Sequence, residues 1–212
     1  MARHQLPEAS SAGLASSAER RTGKSMSEML AERQVAGLNL DLQAMATVSN
    51  IHRVAMRTRH HFEQGILRDS GLTWTSFVAM WVLWIWGEMQ TRWLAEEVGV
   101  TRSTLTGVLN TLERRGLVRR RGHESEGRLV LVELTPDGEA LIAGLFPRFN
   151  AEESFVVSRL SLQEQECLTS ALRSIHGLLD AEGEARRQAA RKLSRSAVGQ
   201  DTPPRAAARQ ER

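Results

Sequence analysis

The sequence is poor in the residues that mark several classes of protein. It has one cysteine, Cys167, so no intrachain disulfide can form, and neither a zinc site nor an oxidising compartment is indicated. It has five prolines and no tyrosine, and 41% of its residues are apolar, which excludes a collagen-like or fully disordered chain. We therefore expect a globular, cytoplasmic protein.

Long hydrophobic runs and catalytic patterns are also missing. The longest apolar run covers residues 77–86, and a helix of that length spans about half of a hydrocarbon layer about 30 Å thick. We interpret it as a core helix buried on all sides and expect no membrane partner. The sequence has no phosphate-binding glycine loop, HExxH helix or Gly-x-Ser-x-Gly elbow. Neither an enzyme nor a cofactor is expected.

The basic residues are concentrated in two segments. Residues 102–128 carry seven arginines against three glutamates, and residues 184–212 carry eight basic against three acidic residues. Such segments bind phosphate groups and release counterions, so they favour a polyanionic partner. The alternative for residues 102–128 is a solvated, arginine-rich turn.

Periodicity and capping residues predict the order of elements along the chain. Residues 1–37 are expected to form a disordered tail, with a candidate short helix at residues 27–35. One long helix is predicted over residues 38–70, followed by the apolar helix, which Thr73 caps. Residues 184–212 are expected to form a second disordered tail.

Residues 71–135 carry the most informative order of elements. A short helix is predicted to end at Gly99, and Thr101 caps a second helix that bears Arg102. Alternating residues at 117–121 and 128–134 then predict a β-hairpin. This order is that of a winged helix-turn-helix: a helix, a glycine turn, an arginine-bearing helix and a hairpin. The second helix of that motif enters the major groove of DNA.

Residues 136–183 are predicted to form two further helices. Pro136 occupies the first helical position, where its missing N–H costs nothing. Ser161 and Glu164 have the spacing of a capping box at the start of the second helix. Cys167 lies on the apolar stripe of that helix, so we interpret it as buried and unreactive.

Residues 94–141 resemble the DNA-binding region of the MarR (multiple antibiotic resistance regulator) family of bacterial transcription factors. The motifs that carry the resemblance are Ser103-Thr104-Leu105-Thr106, Leu112-Glu113-Arg114-Arg115-Gly116-Leu117-Val118 and Leu134-Thr135-Pro136-Asp137-Gly138. The resemblance implies a mainly α fold: a winged helix-turn-helix at residues 71–135 with a two-stranded β-hairpin wing. It also implies that long helices at 38–70 and 136–183 form a dimerisation region. Gly107 and Asn110 stand where the family usually has Arg and Asp.

The recognition helix is expected to present five side chains to double-stranded DNA, because they flank or oppose its apolar stripe near its N-terminus. They are Arg102, Ser103, Thr104, Thr106 and Asn110. The candidate wing contacts are Arg120, Arg121, His123 and Arg128. The alternatives are a merely solvated helix and a pairing of Arg128 with Glu124 or Glu126.

The family layout also implies a pocket for a small aromatic ligand beside the dimerisation helices. Its candidate residues are His52, Arg59, Trp74, Phe77 and Trp81. The alternative is that the tryptophans are ordinary core residues. His52, His60 and His61 do not predict a metal site, because adjacent histidines point in different directions on a helix.

The sequence and the resemblance together predict a sequence-specific transcriptional regulator. We expect a homodimeric repressor on a pseudo-palindromic operator, with a small aromatic molecule as a candidate effector. The alternative is a non-specific or architectural nucleic-acid-binding protein with the same winged helix. A further alternative, motivated by Gly107 and Gly127, is a protein-interaction module that has lost its contact with DNA.

Overall fold

A computed structural model describes residues 23–122 and 130–199 of the chain. The elements in these ranges are α1 Met26–Val35, α2 Leu42–Gln64, α3 Ile66–Ser70, α4 Trp74–Trp86, β1 Met89–Gln90, α5 Thr91–Val98, α6 Arg102–Arg114, β2 Val118–Gly122, β3 Val130–Leu134, α7 Pro136–Val156 and α8 Leu162–Gly199. No helix in the described ranges is long and apolar enough to cross a membrane. The chain divides into two compact units, Met1–Leu145 and Phe146–Arg212.

Local sequence signals set the starts and ends of the helices in the first unit. The hydroxyls of Thr73 and Thr101 each accept a hydrogen bond at 3.2 Å, from the backbone N–H of Ser76 and Thr104 respectively. Gly99 ends α5 with a φ of 71°, a left-handed conformation that glycine adopts without steric cost. The caps predicted at these three positions are confirmed.

The sheet has three antiparallel strands in the order β1-β3-β2. β2 and β3 form the predicted hairpin, with Val118 opposite Leu134 and Arg120 opposite Val132. The structure adds β1, which pairs with the other edge of β3. A strand of two residues is too short to show an alternation of polar and apolar side chains, so it could not be predicted from the sequence.

The core of the first unit lies where the apolar faces of its helices meet one face of the sheet. Its least exposed side chains are Phe62, Leu67, Ala79, Met80, Leu83, Leu94, Leu105, Leu109, Leu112, Val118, Val132 and Ile142. Helix α7 begins tightly against the turn before β2, because a Cβ at Gly138 would lie 2.0 Å from the Leu117 carbonyl oxygen. Only glycine fits at that position.

The second unit contains the end of α7 and the long helix α8. The backbone N–H of Ser161 donates to the Glu164 carboxylate at 2.8 Å, and the N–H of Glu164 donates to the Ser161 hydroxyl at 3.3 Å. This reciprocal pair is the capping box predicted for the start of α8.

The prediction of disordered tails is wrong for part of each end. Residues 26–35 are helical, which confirms the candidate short helix at residues 27–35, because Ser25 and Glu28 form a capping box that starts this helix, α1. Helix α8 continues to Gly199: residues 184–198 contain neither glycine nor proline, and Arg187 donates to Glu184 at 2.7 Å. Residues 1–22 and 200–212 lie outside the described ranges.

The single helix predicted over residues 38–70 is also wrong, since the structure has two. Helix α2 begins after Asp41, whose carboxylate accepts a hydrogen bond from the N–H of Ala44 at 2.9 Å. It ends at Gly65, whose φ of −97° and ψ of −113° are not helical, and α3 follows directly. The conformational freedom of one glycine divides the helix.

Two predictions of burial are wrong as well. Phe77 and Met80 of α4 are buried, but Trp84 and Trp86 are 40% and 70% exposed, so this helix is not buried on all sides. Cys167 is exposed rather than buried. The sequences of α4 and α8 show which positions are apolar, but they do not show whether another element of the chain covers those positions.

Candidate nucleic-acid interface

Helix α6 separates an apolar face from a polar face. Leu105, Leu109 and Leu112 are at most 1% exposed, and they attach the helix to the core. All five predicted recognition residues are exposed on α6: Arg102, Ser103, Thr104, Thr106 and Asn110. All five side chains are therefore accessible to a partner of the first unit.

The N-terminal turn of α6 is held by hydroxyl groups. The Ser103 hydroxyl lies 2.9 Å from the Thr101 hydroxyl, and the Thr106 hydroxyl donates to the Arg102 carbonyl oxygen at 2.8 Å. Within the described residues, the Arg102 guanidinium forms no hydrogen bond or ion pair. An unpaired cation beside the N–H groups of a helix N-terminus is suited to binding a phosphate or the edge of a base.

The wing strand β2 is tied to the recognition helix by one arginine. Arg120 donates from Nη2 to Oδ1 of Asn110 at 2.6 Å and from Nε to Oε2 of Glu113 at 3.1 Å. The hydrogen bond from Arg120 lowers the pKa of the Glu113 carboxyl, so this group is charged at neutral pH. Two elements that are predicted to contact DNA are thus joined to each other.

The other described wing arginines also pair with carboxylates. Arg119 donates to Glu133 at 2.7 Å, and Arg121 donates to Glu88 at 2.8 Å. The bond from Arg119 lowers the pKa of Glu133. The side chains of Arg119 and Arg121 are 66% and 50% exposed, so both still present a partly compensated charge to solvent. Two predicted residues of the wing tip lie outside the described ranges: His123 and Arg128.

Sequence reasoning missed a residue that positions α6. Arg115 follows the helix and donates to the Ser70 carbonyl at 2.8 Å and to the Gly71 carbonyl at 2.7 Å. These bonds fix the end of the recognition helix to the end of α3. No local signal could have revealed them, because the partners lie 44 and 45 residues earlier in the chain.

The group around Glu63 contains some of the residues predicted to line a ligand pocket. Oε1 of Glu63 accepts hydrogen bonds from the N–H of Trp74 at 3.0 Å and from Arg59 at 3.3 Å. Partial burial acts to raise the pKa of Glu63, but the bonds from Trp74 and Arg59 outweigh it and lower the pKa. The ring of Trp74 lies 6.5 Å from that of Phe77. Three of the five predicted pocket residues therefore lie close together.

The other two predicted pocket residues are also exposed, as Arg59 is. His52 is exposed on α2, about two helical turns before Arg59, and Trp81 is 37% exposed on α4. An open depression of about 690 Å³ beside α2 is lined by other residues: Met56, Arg57, His60, His61, Gln64 and Gly65. Within the part of the chain that the structure describes, no three His, Cys, Asp or Glu side chains are placed to hold a metal ion.

Comparisons with known proteins agree with this geometry. The model of the MarR family matches residues 72–130, which include the recognition helix and most of the wing. The uncharacterised HTH-type transcriptional regulator YwaE of Bacillus subtilis is 33% identical over 143 residues, covering 68% of this chain and 84% of YwaE. The chain belongs to the MarR family. The family and the winged-helix fold predicted from the sequence are confirmed, and the protein is a transcriptional regulator rather than an enzyme.

Two solved structures extend this comparison. A probable transcriptional regulator from Pseudomonas aeruginosa has a TM-score of 0.54 at 31% identity, covering 59% of this MarR-family chain and 92% of that chain. BpsR of Bordetella bronchiseptica, whose DNA binding is regulated by 6-hydroxynicotinic acid, has a TM-score of 0.58 at 26% identity. That match covers 62% of this chain and 98% of BpsR.

Proposed function

We propose that the protein is a homodimeric repressor that binds a pseudo-palindromic operator through α6 and the wing, and that a small aromatic molecule releases it. The observation that carries the proposal is the exposed polar face of α6. Arg102 is unpaired within the described residues, and a buried leucine stripe holds the helix in place. A rigid helix with such a face is suited to the major groove.

The proposal of a homodimer is supported by apolar faces that the single chain leaves exposed. In α2, Val48 is 65% exposed. In α8, Leu172 and Leu179 are 40% and 58% exposed and lie on the same side of the helix. Apolar faces of this extent mark interaction sites, and a second copy of the chain is the partner that would place two recognition helices on one inverted repeat.

The proposal of a ligand is supported by the BpsR comparison and by the group around Glu63. The ring of Trp74 and the guanidinium of Arg59 are suited to an aromatic acid, because the ring can contact its plane and Arg59, which bonds Glu63 through Nε and Nη2, has Nη1 left to donate to its carboxylate. Such a ligand must bind the DNA-free state more tightly in order to release the operator. A regulator of this kind would act in the bacterial cytoplasm, where the DNA lies.

Selection of bound duplexes from a random DNA pool tests the central proposal. We would use the purified full-length protein, the variant Arg102→Ala and, as a matched control, Arg33→Ala, which removes an exposed arginine from α1. We expect the wild type and Arg33→Ala to recover the same inverted repeat. Arg102→Ala should bind that repeat more weakly, because it removes a phosphate or base contact.

A truncated chain without residues 184–212 distinguishes the alternative function. If an inverted repeat is still recovered, the basic segment adds only general affinity. If no motif is recovered from either chain and binding disappears on truncation, the protein is a non-specific or architectural DNA-binding protein. That result would overturn the proposed repressor.

A further inference from the structure

Asn110 lies on the third turn of α6, and its side chain is already engaged on one side. Arg120 donates to its amide oxygen at 2.6 Å. Arginine carries only hydrogen-bond donors, so the atom that faces Arg120 must be the oxygen Oδ1 rather than the nitrogen Nδ2. The orientation of the Asn110 amide is therefore fixed by chemistry, with Nδ2 turned away from Arg120.

The Arg120 side chain is itself held in place. Its guanidinium also pairs with the Glu113 carboxylate, and its side chain is only 25% exposed. The backbone of Arg120 lies opposite Val132 in the β2–β3 ladder, which fixes where the side chain begins. Arg120 thus bridges the wing and two residues of the recognition helix that are about one turn apart.

An asparagine with a free amide reads adenine through two hydrogen bonds: its oxygen accepts from N6 and its nitrogen donates to N7. An asparagine oxygen keeps a second lone pair when it accepts one hydrogen bond, but the bond from Arg120 holds that oxygen on the side of the wing and leaves Nδ2 as the group directed away from it. Guanine presents two acceptors in the major groove, N7 and O6, and thymine presents O4, whereas adenine presents its one acceptor, N7, beside the N6 donor, which a second donor cannot satisfy. A donor directed at the groove therefore matches guanine or thymine better than adenine.

We propose that Arg120 is a positioning residue that sets the base preference of Asn110, so that Asn110 selects a hydrogen-bond acceptor, guanine or thymine, rather than adenine. The inference rests on the proposed function, because it requires α6 to lie in the major groove. Arg120 contributes to specificity through Asn110 and not by its own contact with a base.

The test is the same random-pool selection, carried out with four full-length variants. Asn110→Ala identifies the operator position that Asn110 reads, because only that position should lose its preference. Arg120→Met removes the donors but keeps an unbranched side chain. Arg119→Met is the matched control, because Arg119 lies next to Arg120 on β2 and pairs with Glu133 instead. Asn110→Asp keeps an acceptor for Arg120 and replaces the outward donor with an acceptor.

We expect the wild type and Arg119→Met to prefer guanine or thymine at the position identified by Asn110→Ala. Arg120→Met should shift the preference at that position toward adenine by about fivefold or more. Asn110→Asp should shift it toward cytosine, whose N4 is a donor. This second shift does not depend on the folding of the Arg120 variant.

Each contrary result has a distinct meaning. If wild type and Arg119→Met recover an inverted repeat but Arg120→Met recovers the same base at this position, only the role of Arg120 is overturned. The role of Arg120 would also be overturned if the wild type selected adenine at this position. The same holds if Asn110→Ala lost its base preference at no position of the operator. If neither the wild type nor Arg119→Met recovers any motif, the proposed function fails, and this inference fails with it.

Discussion

The apolar residues of the recognition helix α6 recur with the same helical spacing as those of α2 and α8, the long helices on either side of the winged-helix region. The chain buries these residues in α6 but leaves many of them exposed in α2 and α8. Leu105 and Leu109 of α6 are each 1% exposed. By contrast, Val48 of α2 is 65% exposed, and Leu172 of α8 is 40% exposed. The spacing defines a face in each case, but it does not determine whether the element that covers the face belongs to the same chain.

The two regions therefore differ in what stabilises them: packing within the chain for α6, and a proposed partner for α2 and α8. The helix proposed to read DNA is held by the core of its own unit, so its geometry does not depend on a partner. The terminal helices have apolar faces that only another element can cover, and we have proposed a second copy of the chain. Folding of the first and assembly through the second should therefore respond to different substitutions.

The largest expected effect comes from the buried face of α6. Leu109→Ala should lower the free energy of unfolding by about 2–5 kcal/mol, because it leaves a cavity where the side chain was packed. Chemical denaturation followed by circular dichroism measures the change. The matched control is Leu193→Ala on α8, which deletes the same atoms from a side chain that is 73% exposed. It should change stability by less than about 0.5 kcal/mol, and equal losses would remove the distinction between the two regions.

The next effect concerns the exposed face of α8. Leu172→Glu should raise the dissociation constant of the proposed dimer by about a hundredfold, equivalent to about 2.8 kcal/mol, because it would bury an unpaired charge in the interface. Sedimentation velocity over a range of protein concentrations measures this constant. The secondary structure of the winged-helix region should be retained.

Ser170→Glu is the control for this prediction. It adds the same charge at an exposed position on the opposite side of α8. It should leave the dissociation constant nearly unchanged. A wild-type protein that is monomeric at all concentrations, or equal effects of the two substitutions, would contradict the assignment of this face to the dimer.

The smallest effect tests the contact between α1 and α2, which is polar. Glu28 accepts hydrogen bonds from the Ser25 N–H at 2.8 Å and from Asn50 at 2.7 Å, and these bonds, with Arg53 nearby, lower its pKa from 4.5 to about 2. Because the folded pKa is lowered, this contribution is complete above pH 4.5 and is lost as the pH falls toward 2. Protection of residues 26–35 from hydrogen exchange, corrected for the intrinsic rate, should therefore fall over this range.

Glu28→Gln should remove most of this pH dependence, because the amide does not titrate. Helix α6, which is attached by leucine side chains, serves as the internal reference and should keep its protection over the upper part of the same range. If residues 26–35 and α6 lose protection together in the wild type, the acid sensitivity belongs to the whole fold rather than to the α1–α2 contact.

Features with a local cause could be predicted from the sequence. Thr73, Thr101 and Ser161 cap helices because each hydroxyl reaches the N–H three residues later, and Gly99 ends a helix because of its own φ. The hairpin followed from alternation over consecutive residues. The exposed face of α6 followed in the same way from the spacing of its leucines.

Features with distant causes could not be predicted. The Gly71 carbonyl that Arg115 reaches lies 44 residues away in the chain, and the Glu88 carboxylate that Arg121 reaches lies 33 residues away, so these hydrogen bonds left no local pattern. The exposure of Trp86 and Cys167 depends on what covers a face, and the end of α2 at Gly65 depends on which of its accessible conformations the packing selects. Periodicity contains none of this information.

The sequence by itself determined the family, the order of the helices and hairpin, and which residues of α6 are directed away from the core. The family follows from the resemblance of its motifs, and the other two features follow from spacing and from contacts between near neighbours in the chain. Only the tertiary structure decided that β1 completes the sheet and that Arg120 holds the oxygen of Asn110. Both features require segments that are distant in sequence to lie close together in space. A hydrogen bond depends on the distance and angle between donor and acceptor, and the separation of the two residues along the chain does not determine either.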